Sequence, residues 1–205
     1  MPHVERLIVG PFEENAYLLN GPEGVILVDP GDESERILAA VGNRPLAAIL
    51  ITHTHLDHIG ALEEVRGRLA PKGEVYGPRA EATFFDDPNG NLSALYGMPL
   101  RVRPAERLLG GGERTKIAGA EVEVRFVPGH SPGHLVYLFG GILFAGDTLF
   151  AGSIGRSDFP GGDHDLLIEK IRSEIFSLPD ATRVLPGHGP ETTVGTERRH
   201  NPYLA

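Results

Sequence analysis

The stretch around which this sequence is organised is Thr52-His53-Thr54-His55-Leu56-Asp57-His58-Ile59-Gly60. It places three histidines and one aspartate, all potential metal donors, within six residues. The apolar run at residues 46–51 predicts a buried strand before it, and residues 61–70 predict a helix after it. Side chains between a strand end and a helix start lie where open α/β folds bind ligands, outside the carboxyl ends of the strands.

The spacing of these donors indicates two metal ions rather than one. His53 and His55 are two residues apart, so in extended backbone they share a face. Asp57 and His58 are adjacent in the chain, so their side chains do not easily point towards the same metal ion. A purely structural role is a poor explanation, because each buried polar group left unpaired costs about 1–3 kcal/mol. A solvated loop would not need histidine, and it would not follow so apolar a strand.

Composition narrows the class of protein. With 205 residues, 40% of them hydrophobic and 23% charged, the chain has the profile of an ordinary globular protein. Its net charge of −9 argues against a nucleic-acid partner. No run approaches the roughly 18 apolar residues of a membrane span, and the first residues lack a signal peptide's apolar core, so we expect a cytoplasmic protein with no membrane partner. The absence of cysteine excludes disulfides, thiolate metal ligands and cysteine nucleophiles.

Apolar runs alternating with turn residues predict two halves of similar plan, each made of strands followed by helix. Strands are predicted at residues 6–10, 16–19, 25–29, 46–51, 74–76, 115–117, 121–127, 135–139, 142–144 and 183–185. Helices are predicted at residues 34–41, 61–70, 78–85, 166–176 and 196–200, and a loop or lid at 86–104. Periodicity supports a mixed α/β fold; the layer order that we expect is two sheets face to face with helices outside. No linker separates the halves, which predicts one domain.

Three further donors each follow an apolar strand and stand beside glycine: His130, Asp147 and His188. With the first cluster they make seven, namely His53, His55, Asp57, His58, His130, Asp147 and His188. Catalytic zinc usually takes three protein ligands, so two zinc ions would use six of the seven donors and leave one. A carboxylate can bridge two metals, which makes Asp147 or Asp57 the candidate bridge. Two metals about 3.5–4 Å apart would share a hydroxide that forms near pH 7.

This pattern resembles the metallo-β-lactamase superfamily, and within it the glyoxalase II (hydroxyacylglutathione hydrolase) type. The resemblance spans residues 4–202 and includes Asn15-Ala16-Tyr17, Val28-Asp29-Pro30-Gly31 and Gly155-Arg156-Ser157-Asp158. It implies a four-layer αββα sandwich, with residues 1–205 as a single domain and a dinuclear site at the sandwich edge. Zinc is the first expectation for both ions, with iron or manganese as alternatives, since imidazole and carboxylate donors accept all three.

The resemblance also implies a role for each donor. His53, His55 and His130 would hold the first metal, Asp57, His58 and His188 the second, and Asp147 would bridge them. Asp29 and His134 would orient these ligands without binding metal.

The expected activity is hydrolysis of an acyl thioester, S-D-lactoylglutathione or a related small molecule, by the metal-bridging hydroxide. Asp57 and Asp147 are the catalytic carboxylates of this hypothesis. Arg156 is a candidate for binding a substrate carboxylate, although an ordinary surface ion pair explains it equally well. Asn201 and Tyr203 are candidates for lining the entrance.

Other activities are weighed against this one. The absence of cysteine counts against a β-lactamase, and the acidic balance counts against a nuclease. Full-length glyoxalase II enzymes carry an additional C-terminal helical region that helps to hold glutathione; because seventeen residues follow His188 here, we expect the chemistry to carry over without those glutathione contacts. Persulfide dioxygenases share a segment like Gly155-Arg156-Ser157-Asp158-Phe159 and hold a single iron, here on His53, His130 and Asp147. A non-catalytic metal-binding module is the third hypothesis. The sequence does not indicate an oligomeric state.

Overall fold

The structure, a computed structural model that describes residues 3–204, contains two six-stranded β-sheets. Along the first sheet, in order, lie β1 (Val4–Val9), β2 (Glu14–Gly21), β3 (Gly24–Val28), β4 (Leu46–Leu50), β5 (Leu69–Pro78) and β6 (Arg107–Leu109). The pairs β1–β2 and β2–β3 are antiparallel, and those from β3 to β6 are parallel.

The second sheet has the strand order β14-β13-β10-β9-β8-β7. Its strands are β7 (Arg114–Ile117), β8 (Ala120–Phe126), β9 (Leu135–Phe139), β10 (Ile142–Gly146), β13 (Arg183–Pro186) and β14 (Thr192–Thr193). Only β10 and β13 pair in parallel. A separate hairpin is formed by β11 (Leu149–Phe150) and β12 (Ser153–Ile154).

The helices are short. They are α1 (Ser34–Val41), α2 (Leu56–Ile59), α3 (Leu62–Arg66), α4 (His164–Lys170) and α5 (Val194–His200), and α4 continues into a π-helical turn, Ile171–Ile175. Asp163 caps α4, because its side chain accepts a hydrogen bond from the Leu166 amide. Three 3₁₀ turns lie at Arg79–Glu81, Phe84–Asp86 and Ser93–Tyr96.

Alternation along the strands creates the layers. In β2, Leu18 belongs to an apolar cluster that also contains Ile37 of α1 and Leu62 of α3. Its neighbours Tyr17 and Leu19 face the other way, into a cluster between the two sheets that holds Val124, Leu135, Tyr137 and Phe144. A third cluster packs Val136 and Leu143 of the second sheet against Leu167 and Ile171. The layers are therefore helix, sheet, sheet, helix, which confirms the predicted αββα sandwich.

Two of the predicted helices are wrong. Residues 61–70 form only α3, and the chain enters β5 at Leu69, which pairs with Leu46 of β4; Pro71 could not continue a helix there. Residues 78–85 do not form an α-helix but lie in two 3₁₀ turns, Arg79–Glu81 and Phe84–Asp86. Residues 86–104 are a loop with one 3₁₀ turn, as expected. No pattern in the sequence predicted β6, the β11–β12 hairpin or β14. Among residues 3–204, no helix is both long and apolar enough to cross a membrane.

Candidate metal centre

The seven predicted donors converge at one edge of the sandwich. His53, His55, Asp57 and His58 follow β4, His130 follows β8, Asp147 follows β10 and His188 follows β13. The strands β8, β10 and β13 run in one direction through the second sheet, so their carboxyl ends reach the same edge. The first sheet brings the end of β4 to that edge as well.

Three histidines form the first donor group. The distances are 3.1 Å from His53 Nε2 to His55 Nδ1, 3.1 Å from His53 Nε2 to His130 Nε2, and 2.9 Å from His55 Nδ1 to His130 Nε2. All three side chains are buried. Ligands held 2.0–2.1 Å from a tetrahedral zinc lie roughly 3.3 Å from one another, so this spacing is close to that of a metal triad.

Hydrogen bonds to the outer ring nitrogens of His130 and His53 determine which nitrogen of each ring carries no proton. The Nδ1–H of His130 donates to the Arg156 carbonyl at 2.7 Å, because a carbonyl only accepts, and this leaves Nε2 without a proton. Thr52 donates its hydroxyl proton to Asp29 at 2.7 Å, so it accepts from Nδ1–H of His53 at 3.1 Å. In both neutral rings, the lone pair of Nε2 therefore points into the donor group, as metal binding requires.

The second donor group joins Asp57, His58 and His188, with Asp147 between the two groups. His188 Nε2 lies 3.2 Å from Asp57 Oδ2. Asp147 Oδ1 lies 3.4 Å from His58 Nε2, and its Oδ2 lies 3.5 Å from His188 Nε2 and 3.7 Å from His130 Nε2. One carboxylate thus faces donors of both groups, which is the geometry of a bridge.

Two unsatisfied atoms show that a cation fits this arrangement. Within the described part of the chain, His58 Nε2 and Asp147 Oδ1 are buried and have no hydrogen-bond partner. Asp29 accepts from His58 Nδ1–H at 3.1 Å, which leaves Nε2 as a lone-pair donor. Two electron-rich atoms that face each other are costly to bury unless a proton or a metal cation lies between them.

The pKa values of the two groups move in different directions. Burial lowers the pKa of His55 to about 3, with proximity to His130 adding to the effect, and burial also holds the pKa of His53 well below its usual range. Burial alone would likewise lower the pKa of His58, but the carboxylates of Asp147 and Asp29 raise it above its ordinary value. His53 and His55 are therefore neutral and ready to bind a metal, whereas His58 must release a proton as a metal binds.

Glu81 connects the two loops that carry the three histidines of the first donor group. Its Oε2 accepts from the backbone N–H and the hydroxyl of Thr54, both at 2.8 Å, and Thr54 stands between His53 and His55. Its Oε1 accepts from the Ser131 hydroxyl and from the Gly133 N–H at 2.8 Å, beside His130. One fully buried carboxylate thus joins two loops that are far apart in the chain.

Other residues position the second group and the bridge. Asn15 Nδ2 donates to the carbonyls of Pro186 (3.0 Å) and Gly189 (2.9 Å), on either side of His188. The Tyr17 hydroxyl donates to Pro186 at 2.7 Å. His134 Nε2 accepts from the Asp147 N–H at 3.0 Å. Asp29 therefore contacts His58 and Thr52, and His134 contacts the backbone N–H of Asp147.

A cavity of about 360 Å³ opens beside the donors. Its wall includes His55, Asp57, His130, Asp147 and His188, and on the substrate side Phe12, Leu92, Tyr96, Phe150, Ile154, Arg156 and Phe159. Arg156 is thus the one predicted substrate contact that the structure brings to the cavity.

Asn201 and Tyr203 do not line this cavity, which corrects their predicted place at its entrance. The Asn201 side chain is buried and donates to Glu197 and to the Ser153 carbonyl, both at 2.9 Å. Tyr203 is 52% exposed. Both follow α5, and Asn201 contacts the β11–β12 hairpin, through Ser153, instead of the metal donors.

Sequence reasoning missed several residues of the site. Glu14 is buried, its Oε1 lies 3.9 Å from His58 Nδ1, and burial raises its pKa well above the ordinary value. A glutamate at the start of β2, directly before Asn15 and the buried run at residues 16–19, was a usable signal for it. Glu81 and the aromatic wall had no such signal, because they come from segments without periodicity.

Comparison with known proteins agrees with this geometry. The sequence profile of the metallo-beta-lactamase superfamily matches residues 9–188. A probable metallo-hydrolase of Bacillus subtilis, YqgX, is 40% identical over 97% of this chain and 96% of its own. The hydroxyacylglutathione hydrolase GloC of Haemophilus influenzae is 33% identical over 98% of each chain.

Two solved structures extend the comparison. The BLEG-1 B3 metallo-beta-lactamase superposes with a TM-score of 0.94 at 38% identity, covering 99% of this chain and 100% of the other. TTHA1623, solved in a di-iron-bound form, superposes with a TM-score of 0.84 at 38% identity, covering 98% and 100%. With its converging donors, its fold and this match over most of its length, the chain belongs to the metallo-beta-lactamase superfamily and is a metal-dependent hydrolase.

Proposed function

We propose that this protein hydrolyses acyl thioesters at a dinuclear metal centre. The observation that carries the proposal is the pair of three-donor groups that share Asp147 at the wall of one cavity. His53, His55 and His130 would hold one ion, Asp57, His58 and His188 the other, and Asp147 would bridge them. The name of the Haemophilus influenzae relative makes S-D-lactoylglutathione the first thioester to test.

The donor set accepts zinc, iron or manganese. Imidazole donors suit zinc and iron, and carboxylates admit manganese. We propose zinc as the first metal to test and iron as the second, because a structural relative is described in a di-iron-bound form. When bound, two such ions would supply a water whose pKa falls from 15.7 to about 7 and a Lewis acid for the thioester carbonyl.

The residues of the chain prepare the site for this chemistry. Asp57 and His188 are the more exposed donors, so the carbonyl approaches from their side of the cavity. Asp57 Oδ2, held 3.2 Å from His188 Nε2, faces the second donor group, and the other oxygen of this carboxylate would orient the attacking water. A thiol has a pKa of about 8.5, so it departs as a thiolate and needs no dedicated acid in the wall.

Metal-dependent turnover of S-D-lactoylglutathione is the direct test. Protein stripped with a chelator should show no hydrolysis, and two equivalents of zinc should restore it, because the nucleophile depends on the metals. The assay follows loss of the thioester absorbance. A cephalosporin is tested in parallel, since one structural relative is a B3 metallo-beta-lactamase. Zinc-loaded protein that cleaves the lactam and no thioester would refute the proposal.

A mononuclear iron dioxygenase is the second candidate. His53, His130 and Asp147 are adjacent, with 3.1 Å between the two Nε2 atoms and 3.7 Å from His130 to Asp147, so they could form a two-histidine, one-carboxylate site. That reaction has no use for the three donors of the second group. Oxygen uptake with glutathione persulfide separates the two candidates.

A further inference from the structure

We propose that the cavity beside the metal donors binds apolar groups on both sides of a thioester. It would therefore select neutral, apolar or aromatic thioesters over thioesters of anionic thiols such as glutathione. The inference rests on the proposed thioesterase function and narrows its substrate class. Three features of the cavity carry it: its aromatic wall, its single paired cation and its exposed apolar rim.

The wall opposite the donors is made largely of rings and aliphatic chains. Phe12 and Tyr96 meet edge to face, with 5.0 Å between their ring centres. Phe159 lies edge-on to His55 at 5.8 Å, and Phe150 lies edge-on to His188 at 6.3 Å. Rings thus border donors of both metal groups, so the substituents on either side of a bound thioester would contact aromatic surface. Burying apolar substrate surface there stabilises the complex by roughly 25 cal/mol per Å².

The cavity offers little to an anion. Apart from the histidines of the metal centre, Arg156 is the one cationic side chain among the residues that line it. Its Nε and Nη2 donate to the two oxygens of Asp158, both at 2.7 Å, and its guanidinium lies 4.0 Å above the Phe159 ring. The pairing with Arg156 lowers the pKa of Asp158 to about 2, so the partner stays charged. Glutathione carries two carboxylates, and neither would find an unpaired cation in this wall.

The apolar wall continues outward along the loop at residues 86–104. Leu95 is 65% exposed, Tyr96 41% and Met98 47%. Met98 lines a smaller cavity, which shares Phe12, Leu56 and Asp57 with the larger one. A folded chain does not gain stability from exposed side chains of this kind, and a cluster of them around a cavity typically marks a ligand-binding surface.

A two-by-two set of substrates tests the inference on zinc-loaded protein. Lactoyl and phenylacetyl groups are each attached to glutathione and to N-acetylcysteamine, which is neutral. We expect kcat/KM for phenylacetyl-N-acetylcysteamine to exceed that for lactoylglutathione by about tenfold or more, the equivalent of about 1.4 kcal/mol. The two mixed substrates assign the preference to the acyl or to the thiol side.

Two variants link any preference to the wall. Phe12→Ala should lower kcat/KM for the phenylacetyl thioester by about tenfold while changing that for lactoylglutathione by less than about twofold. Tyr203→Ala removes an exposed aromatic ring that does not line the cavity, and it should change neither value.

The outcomes separate the inference from the function on which it rests. If lactoylglutathione is the best substrate of the four, or if Phe12→Ala lowers all four rates equally, the selectivity is wrong and the thioesterase stands. If none of the four is hydrolysed by zinc-loaded protein, the thioesterase itself is wrong.

Discussion

Replacing His58 by alanine is expected to lower the metal content of the purified protein from about two ions per chain to about one. The reason is that His58 Nε2 faces Asp147 Oδ1 at 3.4 Å, and both atoms are buried without another partner. The three-histidine group keeps all its donors in this variant. The kcat/KM of thioester hydrolysis should fall by at least about 100-fold. Replacing a residue that only holds a metal ligand in place typically costs about 10–100-fold, so the expected loss is larger.

Metal analysis of protein purified without added metal, together with kcat/KM, measures this effect. His200→Ala is the matched control, since it removes an exposed imidazole at the end of α5. It should leave both quantities unchanged. One iron per chain in the parent protein, unaltered by His58→Ala, would contradict a dinuclear hydrolase and would make oxygen uptake with glutathione persulfide the next experiment.

Replacing Glu81 by glutamine is expected to weaken binding at the three-histidine group by about 10–100-fold, the range seen when groups behind metal ligands are changed. Glu81 accepts four hydrogen bonds from the two loops that carry these histidines. An amide keeps the size of the side chain but turns an NH₂ group towards donors on one side. The loops then separate, and the nitrogen spacing of 2.9–3.1 Å is lost.

Titration of chelator-stripped protein with Co²⁺, read from its visible absorption, reports on this group without any turnover. Glu197→Gln is the control, because Glu197 is also buried and accepts from Gly152, Asn201 and Thr192, but touches neither histidine loop. Both variants should lose thermal stability, but only Glu81→Gln should have a lower affinity for Co²⁺ at the three-histidine group. Equal Co²⁺ affinities in the two variants would mean that Glu81 merely stabilises the fold.

The sequence determined the parts of this protein that depend on short-range pattern. Apolar runs bounded by turn residues located most strands, and the density of donors at residues 52–60 indicated a metal centre before any contact was known. Local pattern was less accurate at residues 61–70, where the helix ends at Arg66 because Leu69 pairs with Leu46, and at residues 78–85, which form 3₁₀ turns. Propensity is worth tenths of a kcal/mol per residue, and tertiary contacts routinely outweigh it.

Only the tertiary structure decided what surrounds the donors. Glu81 contacts Thr54 and Ser131, 27 and 50 residues away in the chain, so no local pattern could reveal its role. The aromatic wall likewise joins Phe12, Tyr96 and Phe159 from three separate loops. A metal donor can be identified from its residue type alone. Its position, and the shape of the cavity, depend on which distant segments the sandwich brings to the same edge.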